Sequence, residues 1–273
     1  MPPPLTVSAP RLYAVGNVPP TRDLLLDSAS IPATICFRTC GNLQPGAHMR
    51  ENDPRDIVVV SAGTAAEVIY AYLRRFSNFN VVGFTVDRDH MPDGKVMNKP
   101  VVPWDTVKTE FPPEQVRLIG PPTYARLNTY RRDRYYEGLE MGYDFASFIH
   151  PDSNIMTDDI GDHVIILDQC VVLPGTRIGN NVIIWCNTHV GHHCTIGDHV
   201  FMSSQVGIGG STTVGEETYL AGQAGVMNKA RIGARCAILN QAGIKQAIPD
   251  DSVVVGAESR IKPYSSAKIK RLL

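Results

Sequence analysis

The chain has 273 residues, of which 43% are hydrophobic and 19% charged, enough for one large or two ordinary domains. Its formal net charge is −1 and its pI is near 6.7, so no basic excess predicts binding to nucleic acid or to an acidic membrane. The first ten residues lack the basic and apolar regions of a secretory signal, and no apolar run approaches the roughly eighteen residues of a membrane span. Six cysteines occur without CxxC spacing, so we expect a protein of the reducing cytoplasm.

Residues 1–55 are predicted to be an N-terminal extension of irregular structure. A short strand is predicted at Leu12 to Val15 and a helical turn at Thr21 to Asp27. The prolines and glycines between residues 41 and 54 favour turns over regular elements. No function is assigned to this segment.

A small parallel α/β domain is predicted over residues 56–148, because short apolar runs alternate there with helical patterns. The predicted strands are 57–60, 80–86 and 115–119, and the predicted helices are 65–75, 105–110 and 124–141. Residues 100–102, with Trp104, are expected to lead into the second of these helices. Parallel sheets of this kind bind ligands at the carboxyl ends of their strands. The turn at Gly63 and the strand ends at Asp87 and Gly120 are expected to meet there.

From Ile160 to about Pro249, an aliphatic residue returns at every sixth position without a break. The series is Ile160, Ile166, Val172, Ile178, Ile184, Val190, Ile196, Met202, Ile208, Val214, Leu220, Val226, Ile232, Ile238 and Ile244. Four residues after each of the first fourteen comes a small or β-branched residue. A period of six fits neither an α-helix nor a hairpin, and it predicts a triangular coil with six residues per side and eighteen per turn.

In this prism the first residue of each hexad points inward, and the fourth after it lies near a crowded corner. This second series is Val164, Cys170, Thr176, Val182, Thr188, Cys194, Val200, Val206, Thr212, Thr218, Ala224, Ala230, Cys236 and Ala242. Its three cysteines are therefore predicted to be packing residues, with no disulfide or metal role.

The densest histidine cluster lies within the repeat, at residues 188–194. His192 and His193 follow the inward Val190 by two and three residues, so both are predicted to project from the prism. An outward imidazole on a rigid coil can meet a substrate lying against the prism. His163, His189 and His199 are predicted to be surface residues without a task.

The tandem [Ile/Leu/Val]-Gly-x-x-small-x is similar to that of the hexapeptide-repeat acyltransferases, which implies a left-handed parallel β-helix over residues 149–262. A closer resemblance, over residues 56–262, is to the bacterial sugar acetyltransferases, including nucleotide-linked amino-sugar N-acetyltransferases and sialic acid O-acetyltransferases. Its motifs are the strand-Gly-helix opening, Gly83-Phe84-x-x-Asp87, Ile119-Gly120 and the Ile149-His150-Pro151 entry into the hexads. The resemblance implies a Rossmann-like N-terminal domain that holds the nucleotide part of the substrate.

The same resemblance implies direct acetyl transfer from acetyl-CoA to a nucleotide-linked amino sugar, without a metal, on the path to a surface polysaccharide. It further implies a homotrimer with the site between adjacent prisms. The general base maps to His192. The cofactor-binding residues implied are Gly210, Phe201 and Asn240, and the substrate-binding residues are Ser61, Gly63, Asp87, Asp89 and His193.

Gly210 stands one full turn after His192, where a missing side chain would let a thioester carbonyl approach a backbone N–H. The chain departs from the family in having Ser61-Ala62-Gly63-Thr64 in place of Gly-x-Gly-Gly, and Pro121 in place of a common Asp. His193 replaces the acidic residue that usually follows the base. Asp168, Asp198 or an acid of a neighbouring subunit is then expected to orient the imidazole.

Three other functions are compatible with a prism of this kind. One is O-acetylation of a sugar or sialic acid, and another is a non-catalytic binding protein. A zinc-dependent carbonic anhydrase would need two histidines five residues apart, but Cys194 follows His189 and Asp198 follows His193 at that spacing. After Ile244 the hexads end, residues 248–256 are expected to cap the last coil, and residues 263–273 form a basic tail.

Overall fold

The computed structural model describes residues 53–257. The predictions for residues 1–52 and for the tail at 263–273 lie outside the described residues, as do Cys36, Cys40 and the predicted domain end at 262. No helix within residues 53–257 is long and apolar enough to cross a bilayer.

The first part of the described chain is a parallel sheet with helices, as predicted, but the sheet has four strands where three were predicted, since residues 101–103 also form a strand. Its strands are β1 (Asp56–Val60), β2 (Val81–Val86), β3 (Val101–Pro103) and β4 (Val116–Ile119), in the order β3-β2-β1-β4. Its helices are α1 (Thr64–Phe76), α2 (Val107–Glu110) and α3 (Thr129–Glu140), with 3-10 turns at Arg88–His90 and Trp104–Thr106. Strands β1 and β4 are buried along almost their whole length, as expected for a sheet covered on both faces.

Helix α3 starts five residues later than predicted, so the prediction of a helix from residue 124 was wrong. Arg126, Leu127 and Asn128 all adopt left-handed backbone conformations, with φ of 52°, 52° and 67°. A right-handed helix cannot include them. Two contacts with the second part of the chain stabilise this turn: the Tyr124 ring stacks on Tyr219 at 4.5 Å, and the Asn128 Nδ2 donates to the Glu217 carbonyl at 2.9 Å.

The second part is a left-handed parallel β-helix, as the repeat predicted, with seventeen two-residue strands. They are β5 (Phe148–Ile149), β6 (Asn154–Ile155), β7 (Ile165–Ile166), β8 (Val171–Val172), β9 (Arg177–Ile178), β10 (Ile183–Ile184), β11 (His189–Val190), β12 (Thr195–Ile196), β13 (Phe201–Met202), β14 (Gly207–Ile208), β15 (Thr213–Val214), β16 (Tyr219–Leu220), β17 (Gly225–Val226), β18 (Arg231–Ile232), β19 (Ala237–Ile238), β20 (Gly243–Ile244) and β21 (Val253–Val254). They form three parallel sheets of seven, six and four strands, which are the three faces of the prism. Within the hexads each paired residue lies eighteen positions from its partner, as in the pairing of Val190 with Ile208. At the two ends the spacing is shorter, as in Phe148 with Ile165 and Ala237 with Val253.

The interior of the prism consists of the two predicted series. Every aliphatic residue from Ile166 to Ile244 is buried there, and Ile160 is partly buried. Every residue of the second, small or β-branched series from Val164 to Ala242 is buried as well. Cys170, Cys194 and Cys236 pack in this core with free thiols, which confirms their predicted packing role. The prism also extends past the hexads at both ends, since Ile149, Ile155, Ile248 and Val254 pack against the same core.

The corners of the prism share one backbone conformation. A residue with φ between 53° and 74° occurs at every sixth position from His163 to Gln241, three residues after each inward aliphatic. The left-handed conformation costs roughly 1–2 kcal/mol for a residue with a Cβ, and polar residues with short side chains tolerate it best. Gly175 is the single glycine of this series. The chain therefore turns at fixed places, and the side chain at each corner points outward.

The outward residues differ from face to face. On the seven-stranded sheet they are Phe148, Ile165, Ile183, Phe201, Tyr219, Ala237 and Val253, and we call it the domain face. On the six-stranded sheet they are Asn154, Val171, His189, Gly207, Gly225 and Gly243, and we call it the glycine face. On the four-stranded sheet, the polar face, they are Arg177, Thr195, Thr213 and Arg231. The domain face packs against the α/β domain, where Ile165, Ile183 and Phe201 form one core with residues of α1 and β1.

His163 and His199 are buried, so the prediction of surface histidines was wrong for both; His189 is exposed as predicted. His163 and His199 lie on either side of Asn181, each eighteen residues from it, at the corner between the polar and domain faces. Helix α3 covers this corner. The Tyr135 ring stacks on His163 at 5.7 Å, and the His163 Nε2 accepts the Gly120 N–H at 2.9 Å. The repeat indicated that these imidazoles leave the core, but it did not indicate what lies against this corner.

The guanidinium of Arg131 is fully buried at the same corner and binds amide groups. It donates to the Asn181 Oδ1 at 2.9 Å, to the His199 carbonyl at 2.6 Å and to the Thr123 carbonyl at 3.2 Å. Burial lowers the pKa of Arg131 to about 9, of His163 to about 3 and of His199 to about 4, and for both histidines the Arg131 charge adds to the effect. Both imidazoles are therefore neutral in the folded protein.

The pKa shift of His163 predicts a loss of stability in acid. Because its pKa is lower in the folded chain than the ordinary 6.5, the unfolded chain binds the proton more tightly, and stability falls as the pH drops below about 6.5. Between pH 7 and pH 5 this imidazole should cost about 1–2 kcal/mol of the free energy of unfolding. Asparagine tolerates the left-handed conformation of this corner, so His163→Asn should remove this part of the pH dependence. Urea unfolding at pH 7 and pH 5 measures the free energy of unfolding. His189→Asn, at an exposed position, is the control, and an equal pH dependence in both variants would contradict the assignment.

Candidate acyl-transfer site

The glycine face carries a long open groove. Its outward positions in three successive coils are Gly207, Gly225 and Gly243, which pair directly with one another, and His189 occupies the same position one coil earlier. The groove has a volume of about 480 Å³. Four coils at the ordinary strand spacing of about 4.8 Å give it a length of about 14 Å. Lys245 lines the end of the groove that is farther from His189.

Two kinds of glycine occur along this face. At Gly191 and Gly209 an added Cβ would meet backbone atoms at 2.6 Å and 2.5 Å, so the close stacking of the coils requires glycine there. At Gly207, Gly225 and Gly243 an added Cβ would meet nothing within 4 Å. Glycine weakens a strand by roughly 0.5–1 kcal/mol relative to alanine, so packing does not explain the second kind. A surface kept bare at a cost in stability is typical of a place where a ligand approaches the backbone closely.

His192 lies at one edge of the groove, at the corner between the glycine and polar faces. Its side chain is exposed, as predicted, and lines the groove together with Gly210 and Asn228. Gly210 stacks on it one turn later, as predicted, and a Cβ on Gly210 would lie 2.6 Å from the His192 Nε2. The missing side chain of Gly210 therefore gives room to the imidazole itself. The Gly210 N–H donates to the Asn228 Oδ1 at 2.9 Å, so this N–H already has an acceptor.

The His192 imidazole contacts its neighbour in the sequence. The Nδ1 atoms of His192 and His193 lie 3.0 Å apart, with the rings edge to face at 5.2 Å. Asp168 and Asp198, the two acids expected to orient the imidazole, bind elsewhere. Asp168 accepts the hydroxyl of Tyr72, and Asp198 accepts the Asn180 N–H at 2.7 Å. No group of three or more His, Cys, Asp or Glu side chains within residues 53–257 is placed to hold a metal ion.

A second cavity, of about 480 Å³, lies at the carboxyl ends of the strands in the α/β domain. Ser61, Gly63 and Asp87 line it, so three of the predicted substrate-binding residues meet there. Asp89 is exposed on the 3-10 turn at Arg88–His90 and does not line this cavity. Its other lining residues, which the sequence did not predict as site residues, include Ala125 and four with polar groups: His90, Thr123, Arg126 and Tyr130.

The Asp87 carboxylate is held from one side of the cavity by helix α3. The Arg134 guanidinium forms an ion pair with it at 2.6 Å, and the Tyr130 hydroxyl donates to it at 2.9 Å. The ion pair with Arg134 balances the charge of the Asp87 carboxylate. Arg126 and His90 line the same cavity. The cavity thus offers a guanidinium, an imidazole and a fixed carboxylate, a combination suited to an anionic ligand that also carries hydrogen-bond donors.

Two predicted cofactor-binding residues lie away from His192. Phe201 is buried between the prism and the α/β domain, with its ring 5.2 Å from Tyr124 and 5.9 Å from Tyr219. Asn240 is exposed at the corner between the domain and glycine faces, across the glycine face from His192. The period of eighteen could have predicted both positions. Residue 201 belongs to the apolar series of the domain face, and residue 240 lies at a different corner from His192.

Comparison with known proteins supports the repeat and the fold. The family model described as Bacterial transferase hexapeptide (six repeats) matches residues 159–188 and 175–210. A search of curated proteins finds no match. The chain therefore carries hexapeptide repeats of the transferase type over the coils that include His192.

Solved structures share the whole architecture. The acetyltransferase domain of PglB from Neisseria gonorrhoeae aligns with a TM-score of 0.63 and 23% identity, over 73% of this chain and 95% of that one. Perosamine N-acetyltransferase from Caulobacter crescentus, solved with CoA and GDP-perosamine, aligns with a TM-score of 0.66 and 21% identity, over 77% and 97%. WeeI from Acinetobacter baumannii aligns with a TM-score of 0.62 and 18% identity, over 74% and 97%. These likenesses establish the fold: a small α/β domain followed by a left-handed β-helix.

The two kinds of glycine predict opposite effects on stability. Gly225→Ala should leave the free energy of unfolding unchanged or raise it by up to about 1 kcal/mol, because the methyl group meets open space and the unfolded chain loses freedom. Gly209→Ala should lower it by about 1–3 kcal/mol, because the methyl group meets the Asn228 backbone. Urea unfolding of the two variants measures the difference. Equal destabilisation would mean that the bare groove is a requirement of the fold.

Proposed function

We propose that this protein transfers an acetyl group from acetyl-CoA to the amine of a nucleotide-linked amino sugar. The observation that carries the proposal is the groove of Gly207, Gly225 and Gly243, which packing does not require and which ends beside the exposed His192. The groove suits a long thin ligand that lies against backbone, as the extended arm of coenzyme A does. Lys245 at its far end suits a phosphate.

His192 acts as the general base in this proposal. The amine attacks the thioester carbonyl, the new C–N bond forms as the C–S bond breaks, and the His192 Nε2 accepts the proton that the amine loses. The same proton then passes to the departing thiolate, which leaves as free coenzyme A. A positioned base contributes typically 10²–10⁴ in rate, and the transfer is direct because Cys194 is buried in the prism core. Burial also raises the pKa of the Cys194 thiol, which disfavours a thiolate nucleophile.

The α/β cavity holds the nucleotide part of the acceptor. Its place at the carboxyl ends of parallel strands is typical of nucleotide sites, and Arg126 and His90 can meet a diphosphate there. Ser61, Gly63 and Asp87 are the substrate-binding residues of this proposal. The perosamine N-acetyltransferase that shares the fold was solved with a GDP-sugar, and the PglB domain was solved with acetyl coenzyme A.

The α/β cavity and His192 lie on opposite sides of one prism, which supports a homotrimer. The α/β domain packs on the domain face, whereas His192 lies at the corner between the other two faces. In a triangular prism that corner is opposite the domain face. A sugar bound in the cavity therefore reaches the His192 of a neighbouring subunit and not that of its own chain. Each complete site needs two copies of the chain.

A thiol-release assay with acetyl-CoA tests the activity. The panel contains GDP- and UDP-linked amino sugars, the same sugars without an amine, and free sialic acid. We expect release with at least one nucleotide-linked amino sugar, and loss of about 10² or more in rate for His192→Ala with coenzyme A binding retained. Release with sialic acid alone would favour O-acetylation, and coenzyme A binding without release on any acceptor would favour a non-catalytic protein. Unchanged turnover of His192→Ala would remove His192 from the mechanism.

Mixed assemblies test the shared site. Ala125→Trp should fill the α/β cavity, and His192→Ala removes the base, so each variant alone should be inactive. Co-expression of the two variants should restore part of the activity, because some subunit pairs then combine an intact cavity with an intact imidazole. If one chain held a complete site, no chain in the mixture would be intact, and no activity would return. Purification through two different affinity tags isolates the mixed species.

A further inference from the structure

We propose that His193 is a positioning residue that fixes the imidazole of His192 in the tautomer a base requires. The proposal rests on the proposed function, because it assigns a partner to the base of that reaction. It departs from the family resemblance, in which an acidic residue follows the base, and from a substrate-binding role for His193. Two observations support it: the contact between the two imidazoles, and the glycines of neighbouring coils against which the two rings lie.

The contact between the two rings involves one proton. The Nδ1 atoms lie 3.0 Å apart, which is a hydrogen-bond distance, and a neutral imidazole carries its single N–H on one of its two nitrogens. If the His192 Nδ1 donates to the His193 Nδ1, the His192 Nε2 keeps its lone pair and faces the groove as a base. His193 then carries its own proton on Nε2. The His193 imidazole thus takes the role of the family's carboxylate, because it accepts a hydrogen bond from the Nδ1–H of the base.

Two glycines give the imidazole pair its fixed position. Gly210 lies one coil after His192, and a Cβ there would be 2.6 Å from the His192 Nε2. Gly175 lies one coil before His193, and a Cβ there would be 2.9 Å from the His193 Cδ2. Gly175 is also the one glycine among the left-handed corners from His163 to Gln241. Each ring therefore lies against a glycine of a neighbouring coil.

The backbone holds His193 in place as well. Its φ is 54°, the value of the corner series, and its N–H donates to the Pro174 carbonyl at 3.1 Å. The corner conformation sets the direction of its Cα–Cβ bond, and the ring lies against Gly175. Asp168 and Asp198 lie at the other two corners of the prism, where they bind Tyr72 and Asn180 instead. The arrangement assigns the orientation of His192 to His193.

The activity arm of the test uses three substitutions of His193. His193→Ala removes the acceptor and should lower kcat by about tenfold or more, part of the 10²–10⁴ that a base supplies, with KM for acetyl-CoA changed less than about twofold. His193→Asp and His193→Glu restore an acceptor at the same corner, and at least one of them should recover kcat to within about threefold of the wild type. Asn187→Ala, which places alanine at another left-handed corner with φ of 59°, controls for backbone strain. We expect it to keep its kcat.

A second arm does not depend on turnover. Two-bond ¹H–¹⁵N correlation spectra of the full chain report which nitrogen of His192 carries the proton. We expect the proton on Nδ1 in the wild type and in the variant with an acidic residue, and a mixture of both tautomers in His193→Ala. An unchanged His192 tautomer in His193→Ala, or an unchanged kcat, would overturn the proposal. Absence of acetyl transfer in the wild type would instead overturn the proposed function, and the spectra would still decide the role of His193.

Discussion

The architecture depends on one geometric constraint, which is that each residue of the hexads stacks on the residue eighteen positions later. The constraint arises at the corners, where one residue in six adopts a left-handed conformation and turns the chain by the same amount each time. Between corners, two-residue strands pair in register, and their inward side chains fill a single apolar column. Because no hexad contains an insertion, a side chain keeps its face along the whole column. Residues far apart in sequence are thereby placed side by side.

Because of this constraint, each of the three faces carries its own set of outward side chains. An apolar stripe fixes the α/β domain on one face, and a bare glycine stripe leaves the second face open to a long ligand. The imidazole of His192 stands where the second and third faces meet. This division separates the two candidate ligand sites within one chain, so the proposed reaction needs a neighbouring chain to bring them together. In that proposal the assembly is part of the chemistry, because neither face alone presents both an acyl donor and an acceptor.

The sequence predicted what depends on the period and missed what depends on contacts between distant elements. The inward residues and the outward His192 follow from the register, and so does the stacking of Gly210. The burial of His163 and His199 depends on helix α3, whose place on the prism no local pattern indicates. The late start of α3 has the same cause, since Asn128 takes its left-handed conformation with its side chain bound to the Glu217 carbonyl. Sorting the outward residues by eighteen would have identified the apolar and glycine stripes.

The most direct measurement of the account is a crystal structure of the protein with coenzyme A. The account predicts that the extended arm lies along Gly207, Gly225 and Gly243, with the sulfur near the Nε2 of His192 and the α/β domain of a neighbouring chain facing it across the groove. Coenzyme A bound on the polar face or in the α/β cavity, or a groove closed by the packing of subunits, would contradict it.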